Sequence, residues 1–265
     1  MASATAKKAD PAHVALRERI GAVPPAESIN WFNSMIHGES GVGKTHLIGT
    51  AADHPLTSPV LIADVDGGVS TLRKRRDIDV IAVRKFTDLV SLYKDLKNAI
   101  PSDGSRFPYG TVAIDTFSEF QSLDLADIAA GMAKLNDNLD PDIPDQRAYG
   151  KSLSHMRDII RVYRDLPCNT IFTCHTNTER DNNMRMIYEP KLTGQMKKLA
   201  PGFFDIVGYY FAEVGSDKQI IRTMQFQRTE TTVAKDRTGA FDALEVNPTI
   251  PSLWEKLQAT NEGEK

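Results

Sequence analysis

Gly38-Glu39-Ser40-Gly41-Val42-Gly43-Lys44-Thr45 fits the pattern G-x-x-x-x-G-K-[ST] at every fixed position. Its glycines let backbone N–H groups turn inward around an anion, where side chains would obstruct them. Lys44 is placed to reach β- and γ-phosphates, and the Thr45 hydroxyl to ligate Mg²⁺. All eight residues, Gly38, Glu39, Ser40, Gly41, Val42, Gly43, Lys44 and Thr45, are therefore candidates for holding a nucleotide. The apolar run at 31–36 reads as a buried strand, and residues 46–52 read as the first turns of a helix. Strand, glycine loop and helix is the order the motif needs.

Outward from the loop, apolar runs at 59–64, 79–84, 111–115 and 169–174 read as further buried strands. Between them, helical stripes are expected: Leu89, Leu92, Tyr93, Leu96 and Ile100 behind a cap at Thr87 or Asp88, then 118–134, then Tyr149, Leu153, Met156, Ile160 and Tyr163. Residues 207–214 and 219–227 read as a hairpin turning at Gly215-Ser216-Asp217-Lys218, and 252–259 as a final helix. The polar stretches 136–146 and 176–190 read as an irregular excursion and a long loop. Alternating strands and helices imply an α/β fold: a mostly parallel central sheet flanked by helices, with an antiparallel hairpin at one edge. The expected organisation is a flexible N-terminal arm over 1–28, a core over 29–245, and a C-terminal helix and tail over 246–265.

The 265 residues suit one large domain, and 41% hydrophobic with 25% charged residues is a globular composition. A net charge of −3 excludes a chain that coats nucleic acid over its whole surface, so any such site must be local. No apolar run approaches a membrane helix, and residues 1–8 lack the apolar core of a signal peptide. Cys168 and Cys174 make no disulfide framework and read as reduced structural thiols, which points to a cytoplasmic location.

Asp115 closes an apolar strand at the spacing of a carboxylate that holds Mg²⁺ through water. Hydrolysis also needs a carboxylate to orient or deprotonate the attacking water. Glu119 falls on the following helix and is a poor candidate, whereas Asp64 and Asp66 end the neighbouring strand. Asp66 projects further toward the loop and is preferred; the alternative is that both cap a helix. His175 ends the next strand, where it can sense a γ-phosphate or sit as a buried histidine bonded to a carbonyl.

The order of these features resembles the RecA-like P-loop NTPase core, and most closely the phage Sak-type single-strand annealing and recombination proteins, often labelled phage nucleotide-binding proteins. The resemblance spans about residues 30–240. It rests on 38–45, Asp64-Val65-Asp66-Gly67-Gly68, Ile114-Asp115-Thr116, Cys174-His175-Thr176, Phe203-Phe204-Asp205-Ile206-Val207 and Lys235-Asp236-Arg237-Thr238-Gly239. It implies an ATP- and Mg²⁺-dependent, slow, DNA-stimulated ATPase that pairs or anneals single-stranded DNA in the cytoplasm of an infected bacterial host. It implies a homo-oligomer with ATP at subunit interfaces, and a single-strand binding protein as a further partner. Where RecA-like proteins carry a catalytic glutamate this chain has Asp66, one methylene shorter. Lys235 and Arg237 match a K-x-R-x-G stretch whose cations reach a neighbouring subunit's γ-phosphate; the alternative is two exposed cations. The implied DNA-binding loop, 178–201, offers Arg180, Arg185, Lys191, Lys197 and Lys198 for phosphates and Tyr188 for base stacking. A helicase-type motor, a nucleotide-dependent assembly switch without DNA binding, and a small-molecule kinase are the competing readings.

Overall fold

The computed structural model describes residues 10–23 and 31–262. The chain divides into two units, 1–30 and 31–265. In the first, α1 (Pro11–Ile20) opens on Asp10, whose carboxylate accepts from Ala12 N, and closes on Gly21 at φ 65°. None of its residues is buried. The rest of the arm expected over 1–28 lies outside the described residues.

In the second unit, β1 (Asn33–Gly38), β2 (Val60–Asp64), β3 (Ile78–Ala82), β4 (Thr111–Asp115), β5 (Asn169–Arg180) and β7 (Ile206–Val214) run parallel in the order β7-β1-β5-β4-β2-β3. β8 (Ile220–Gln225) and β10 (Leu244–Val246) add antiparallel strands beyond β7. This is the α/β architecture expected from the sequence, and the β7–β8 hairpin turns where expected. Successive side chains of a strand face opposite sides. Met35, Leu61, Ala63, Val112, Ile114 and Phe172 accordingly pack under α3 (Phe86–Asn98), α4 (Phe117–Ala133) and α5 (Gln146–Arg164). Ile36, Val60, Ile62, Ala113 and Ile171 pack under α2 (Lys44–Gly49) and α7 (Ile250–Glu262). Ile250, Leu253 and Leu257 are nearly inaccessible, so the terminal helix set apart at 246–265 contributes to the core.

Several local expectations need correction. Residues 176–190 are not a loop: β5 continues to Arg180 and returns as β6 (Met186–Pro190), pairing Thr178 with Tyr188. The turn is built by Asp181, whose carboxylate accepts from Asn183 N and Arg185 N. The continuation of β5 is polar, and β6 is a short run, Met186-Ile187-Tyr188, closed by Glu189-Pro190, so no apolar alternation marks the pair. Lys197 and Lys198 belong to a helix, α6 (Met196–Phe203), anchored by buried Met196 and Ala200 one turn apart. Pro201 in its last turn disguises it as loop. Lys85 occupies the N-cap position of α3 without a side-chain cap hydrogen bond, and the Asp88 carboxylate accepts from Arg84 N and Lys85 N. On α5, Met156, Ile160 and Tyr163 are buried as expected, whereas Tyr149 is exposed.

Candidate active site

The parallel strands end together: Gly38 lies opposite His175, and Asp64 opposite Asp115. Four candidate elements are thus brought to one sheet edge by strand register alone. The glycine loop leaves β1 with Gly41 at φ 79° and Gly43 at φ 107°, backbone that only glycine adopts freely. Lys44 is buried and its Nζ donates to Gly38 O at 2.8 Å and Glu39 O at 2.9 Å. Burial lowers the Lys44 pKa, opposed by the charges of Asp115, Cys174, Asp66 and Glu39.

Thr45 Oγ1 donates to Asp115 Oδ2 at 2.6 Å, and the Thr173 hydroxyl donates to Asp115 Oδ1. Burial raises the Asp115 carboxyl, while these two hydroxyls pull it back. A hydroxyl and a carboxylate converging at this distance are hard oxygen donors of the kind Mg²⁺ takes. Among the described residues, no three His, Cys, Asp or Glu side chains form a ligand cluster.

The structure separates Asp64 from Asp66. Asp64 is buried and accepts from Gly67 N at 3.0 Å and Gly68 N at 3.1 Å, so its lone pairs hold the turn. Asp66 is exposed, with Oδ2 4.0 Å from His175 Nε2. Asp66 Oδ1 accepts from Gly68 N at 3.0 Å, and a Cβ on Gly68 would lie 2.9 Å from Asp66 Oδ1 and 3.6 Å from Thr45 Oγ1, so both side chains border Gly68. His175 is half-buried; its N–H donates to Ser118 Oγ at 2.9 Å and its carbonyl accepts from Lys191 N at 2.8 Å. Burial and Lys44 lower its pKa, against Glu119 and Asp66. A cavity of about 440 Å³ is lined by Glu39, Ser40, Glu119, His175, Thr176 and Lys191. Glu119, set aside from the sequence because it is helical, sits in the first turn of α4 and faces this cavity.

Sequence reasoning also missed His37, Thr173 and Arg222. His37 is fully buried, with Nε2 2.7 Å from Val233 O and Nδ1 3.0 Å from Thr176 Oγ1. Arg222 Nε, from β8, donates to Val42 O at 2.9 Å. A strand threonine or arginine carries no motif, so only the fold brings these groups to the loop.

The remaining candidates lie elsewhere. Lys235 and Asp236 form β9, pairing with Val207 and Ile206 at the start of β7. Val207 is level with Met35, so Lys235 lies about 10 Å short of Gly38 along the sheet. Its Nζ donates to Pro201 O at 2.9 Å and Phe204 O at 2.5 Å, while Arg237 Nη2 donates to Gly202 O at 3.3 Å. Of the expected DNA contacts, Arg185 pairs with Asp181 and Glu230, and Lys197 pairs with Glu189 at 2.5 Å and Glu179 at 3.6 Å. Tyr188 stacks on Tyr209. Arg180, Lys191 and Lys198 have no ion-pair partner among the described residues.

Residues 33–238 match the family model of the AAA domain. The crystal structure of the RadB recombinase is similar with a TM-score of 0.43 and 12% identity, over 79% of this chain and 84% of that one. No curated protein matches the chain.

Proposed function

The chain belongs to the AAA domain family, a P-loop NTPase fold, and on that premise we propose that it is an ATP-hydrolysing phage recombination protein of Sak type that anneals or pairs single-stranded DNA. In this reading the loop from Gly38 to Thr45 holds the phosphates, and Lys44 exchanges its two carbonyl partners for β- and γ-oxygens. Thr45 and Asp115 hold Mg²⁺, which when bound neutralises charge on the phosphate oxygens. Asp66, whose Oδ1 accepts from Gly68 N at 3.0 Å in the same turn while its Oδ2 lies toward His175, orients and deprotonates the attacking water. His175 reports the γ-phosphate.

The observation that carries the reading is the continuity of β5. His175 lies opposite Gly38 at the loop, and the same strand runs on into the β5–β6 hairpin. A shift at the nucleotide is therefore transmitted to the hairpin without an intervening joint. Arg180 on the hairpin, Lys191 at its base beside His175 and Lys198 on α6 supply unpaired cations for DNA phosphates, with Arg185 and Lys197 released only if their carboxylates yield. Lys235 and Arg237 are too far from their own loop to act on it, and in an oligomer they reach a neighbour's ATP. The pairing of Arg185 and Lys197 within the chain favours a second reading, a nucleotide-dependent assembly switch that does not touch DNA.

Mixing complementary single strands with the protein and ATP tests the choice. Accelerated annealing without directional unwinding is expected. Directional unwinding would indicate a helicase-type motor, and no effect on either process together with no strand binding would leave the switch.

A further inference from the structure

His37 is fully buried one residue before the glycine loop, and its two ring nitrogens have unlike partners. Nε2 lies 2.7 Å from Val233 O, and Nδ1 lies 3.0 Å from Thr176 Oγ1. A backbone carbonyl only accepts, so Nε2 carries a hydrogen. The opposite tautomer would set two lone pairs against each other at 2.7 Å. Burial keeps the ring neutral, its pKa lowered to about 4, so Nδ1 presents a bare lone pair. The Thr176 hydroxyl therefore donates to Nδ1. The Tyr209 ring lies over the imidazole with centroids 5.2 Å apart.

A hydroxyl has one hydrogen and two lone pairs. Thr176 commits its hydrogen to His37, so any further partner meets it as an acceptor. The strand decides where that partner sits. Cys174 is level with His37, and Thr176, two residues further along β5, shares the face of Cys174. The same face packs against Phe117 and Phe120 in the first turn of α4, which also carries Glu119. Thr176 is half-buried and bounds the cavity of about 440 Å³ together with Glu39, Ser40, Glu119, His175 and Lys191. A terminal phosphate brought there by the glycine loop offers acceptor oxygens only. An acceptor-only hydroxyl cannot bond to it. Water, which has hydrogens to give, is the partner such an oxygen can take.

We propose that Thr176 positions the attacking water in the nucleotide site, and that His37 is a positioning residue behind it, fixing the hydroxyl as an acceptor. This rests on the reading that the chain hydrolyses ATP. One hydrogen of the water passes to the Asp66 carboxylate. The other is donated to Thr176 Oγ1, stays on the oxygen and leaves with inorganic phosphate. The bond formed joins that oxygen to the γ-phosphorus; the bond broken joins the γ-phosphorus to the β,γ-bridging oxygen, which leaves on ADP.

Single-turnover ATP hydrolysis, measured beside equilibrium binding of a non-hydrolysable fluorescent ATP analogue, tests this in parent protein, Thr176→Val, Thr176→Ser and His37→Leu. Thr176→Val should slow hydrolysis by about 2- to 13-fold, the worth of one neutral hydrogen bond, and leave analogue binding unchanged. Thr176→Ser restores the hydroxyl and should rescue the rate. His37→Leu should slow hydrolysis to a similar extent, and adding Thr176→Val to it should cost nothing more, because the two act as one unit. If His37→Leu does not fold, the two Thr176 variants carry the test. A parent-like rate in folded Thr176→Val overturns the proposal and leaves the ATPase reading intact. Weakened analogue binding by folded Thr176→Val makes Thr176 a phosphate ligand and also overturns it. Parent protein that binds ATP but does not hydrolyse it, or does not bind it, fails the proposed function and takes the role of Thr176 with it. Nitrogen-15 chemical shifts of the His37 ring read the tautomer apart from any activity. Hydrogen on Nε2 and a bare Nδ1 are expected at neutral pH; hydrogen on Nδ1 overturns the proposal.

Discussion

Lys44 shows how one buried cation can be held ready for a ligand. Its ammonium is out of water and lies against two loop carbonyls; burial lowers its pKa, and Asp115 opposes that shift. Lys44→Ala should therefore abolish ATP binding or turnover while the fold persists, since the side chain supports the loop only through those two bonds; titration with a fluorescent ATP analogue checks it. Asp66→Asn should leave ATP binding intact and slow hydrolysis by ~100-fold or more, the usual scale for losing a general base. Asp64→Asn should act on stability instead, because the Asp64 carboxylate accepts from Gly67 N and Gly68 N. Phosphate release measured beside urea unfolding separates the two. A parent-like rate in Asp66→Asn with loss in Glu119→Gln would move the base to the first turn of α4. The loop and the position of Asp115 at a strand end were legible in the sequence because motif spacing and strand ends are local properties. Thr173 and Arg222 were not, because their contacts cross 58 and 180 residues.

In the proposed function the β5–β6 hairpin is the element that couples nucleotide to partner; His37 of β1 is bonded to it through Thr176 Oγ1 at 3.0 Å. The folded chain keeps His37 neutral, its pKa lowered from 6.5 to about 4 mainly by burial, with Lys44 adding to the effect. The unfolded chain takes up that proton near 6.5, so this contribution to stability is whole above pH 6.5 and is lost as pH falls toward 4. It amounts to about 3 kcal/mol. Urea midpoints should drop more steeply between pH 7 and pH 4 in parent protein than in His37→Gln; parallel slopes would contradict the assignment. The ion pairs revise which cations can meet DNA. Lys191→Ala and Lys198→Ala should each lower the salt slope of single-strand binding by about 0.7, whereas Lys197→Ala, already matched by Glu189, should change it little. Salt titrations of the three variants decide this. The hairpin was hidden in the sequence because its β5 half is polar and its β6 half is a short run ending in a proline, and α6 because a proline sits in its last turn.

At the scale of the whole molecule, the parallel order β7-β1-β5-β4-β2-β3 puts the glycine loop and Asp115 on strands separated by β5, with the side chains meeting above it. Fold class and strand alternation were legible because buried parallel strands are continuous apolar runs; strand order was not, since register is set by contacts distant in sequence. Lys235 and Arg237 lie short of their own loop, so a shared site in an oligomer has a direct consequence. Lys44→Ala and Arg237→Ala damage opposite faces of that site, and mixing the two inactive proteins should restore part of the ATPase activity if labelled subunits are seen to exchange. Exchange without recovery would reduce Arg237 to a cation bound to the end of α6. The central claim is that nucleotide turnover at the loop answers to single-stranded DNA through β5. The most direct measurement is steady-state ATP hydrolysis by parent protein with and without oligothymidine, beside Lys44→Ala as the blank. The account predicts slow hydrolysis that rises on adding the strand and is absent from the variant; a rate that is unchanged by single-stranded DNA at saturating concentration would contradict it.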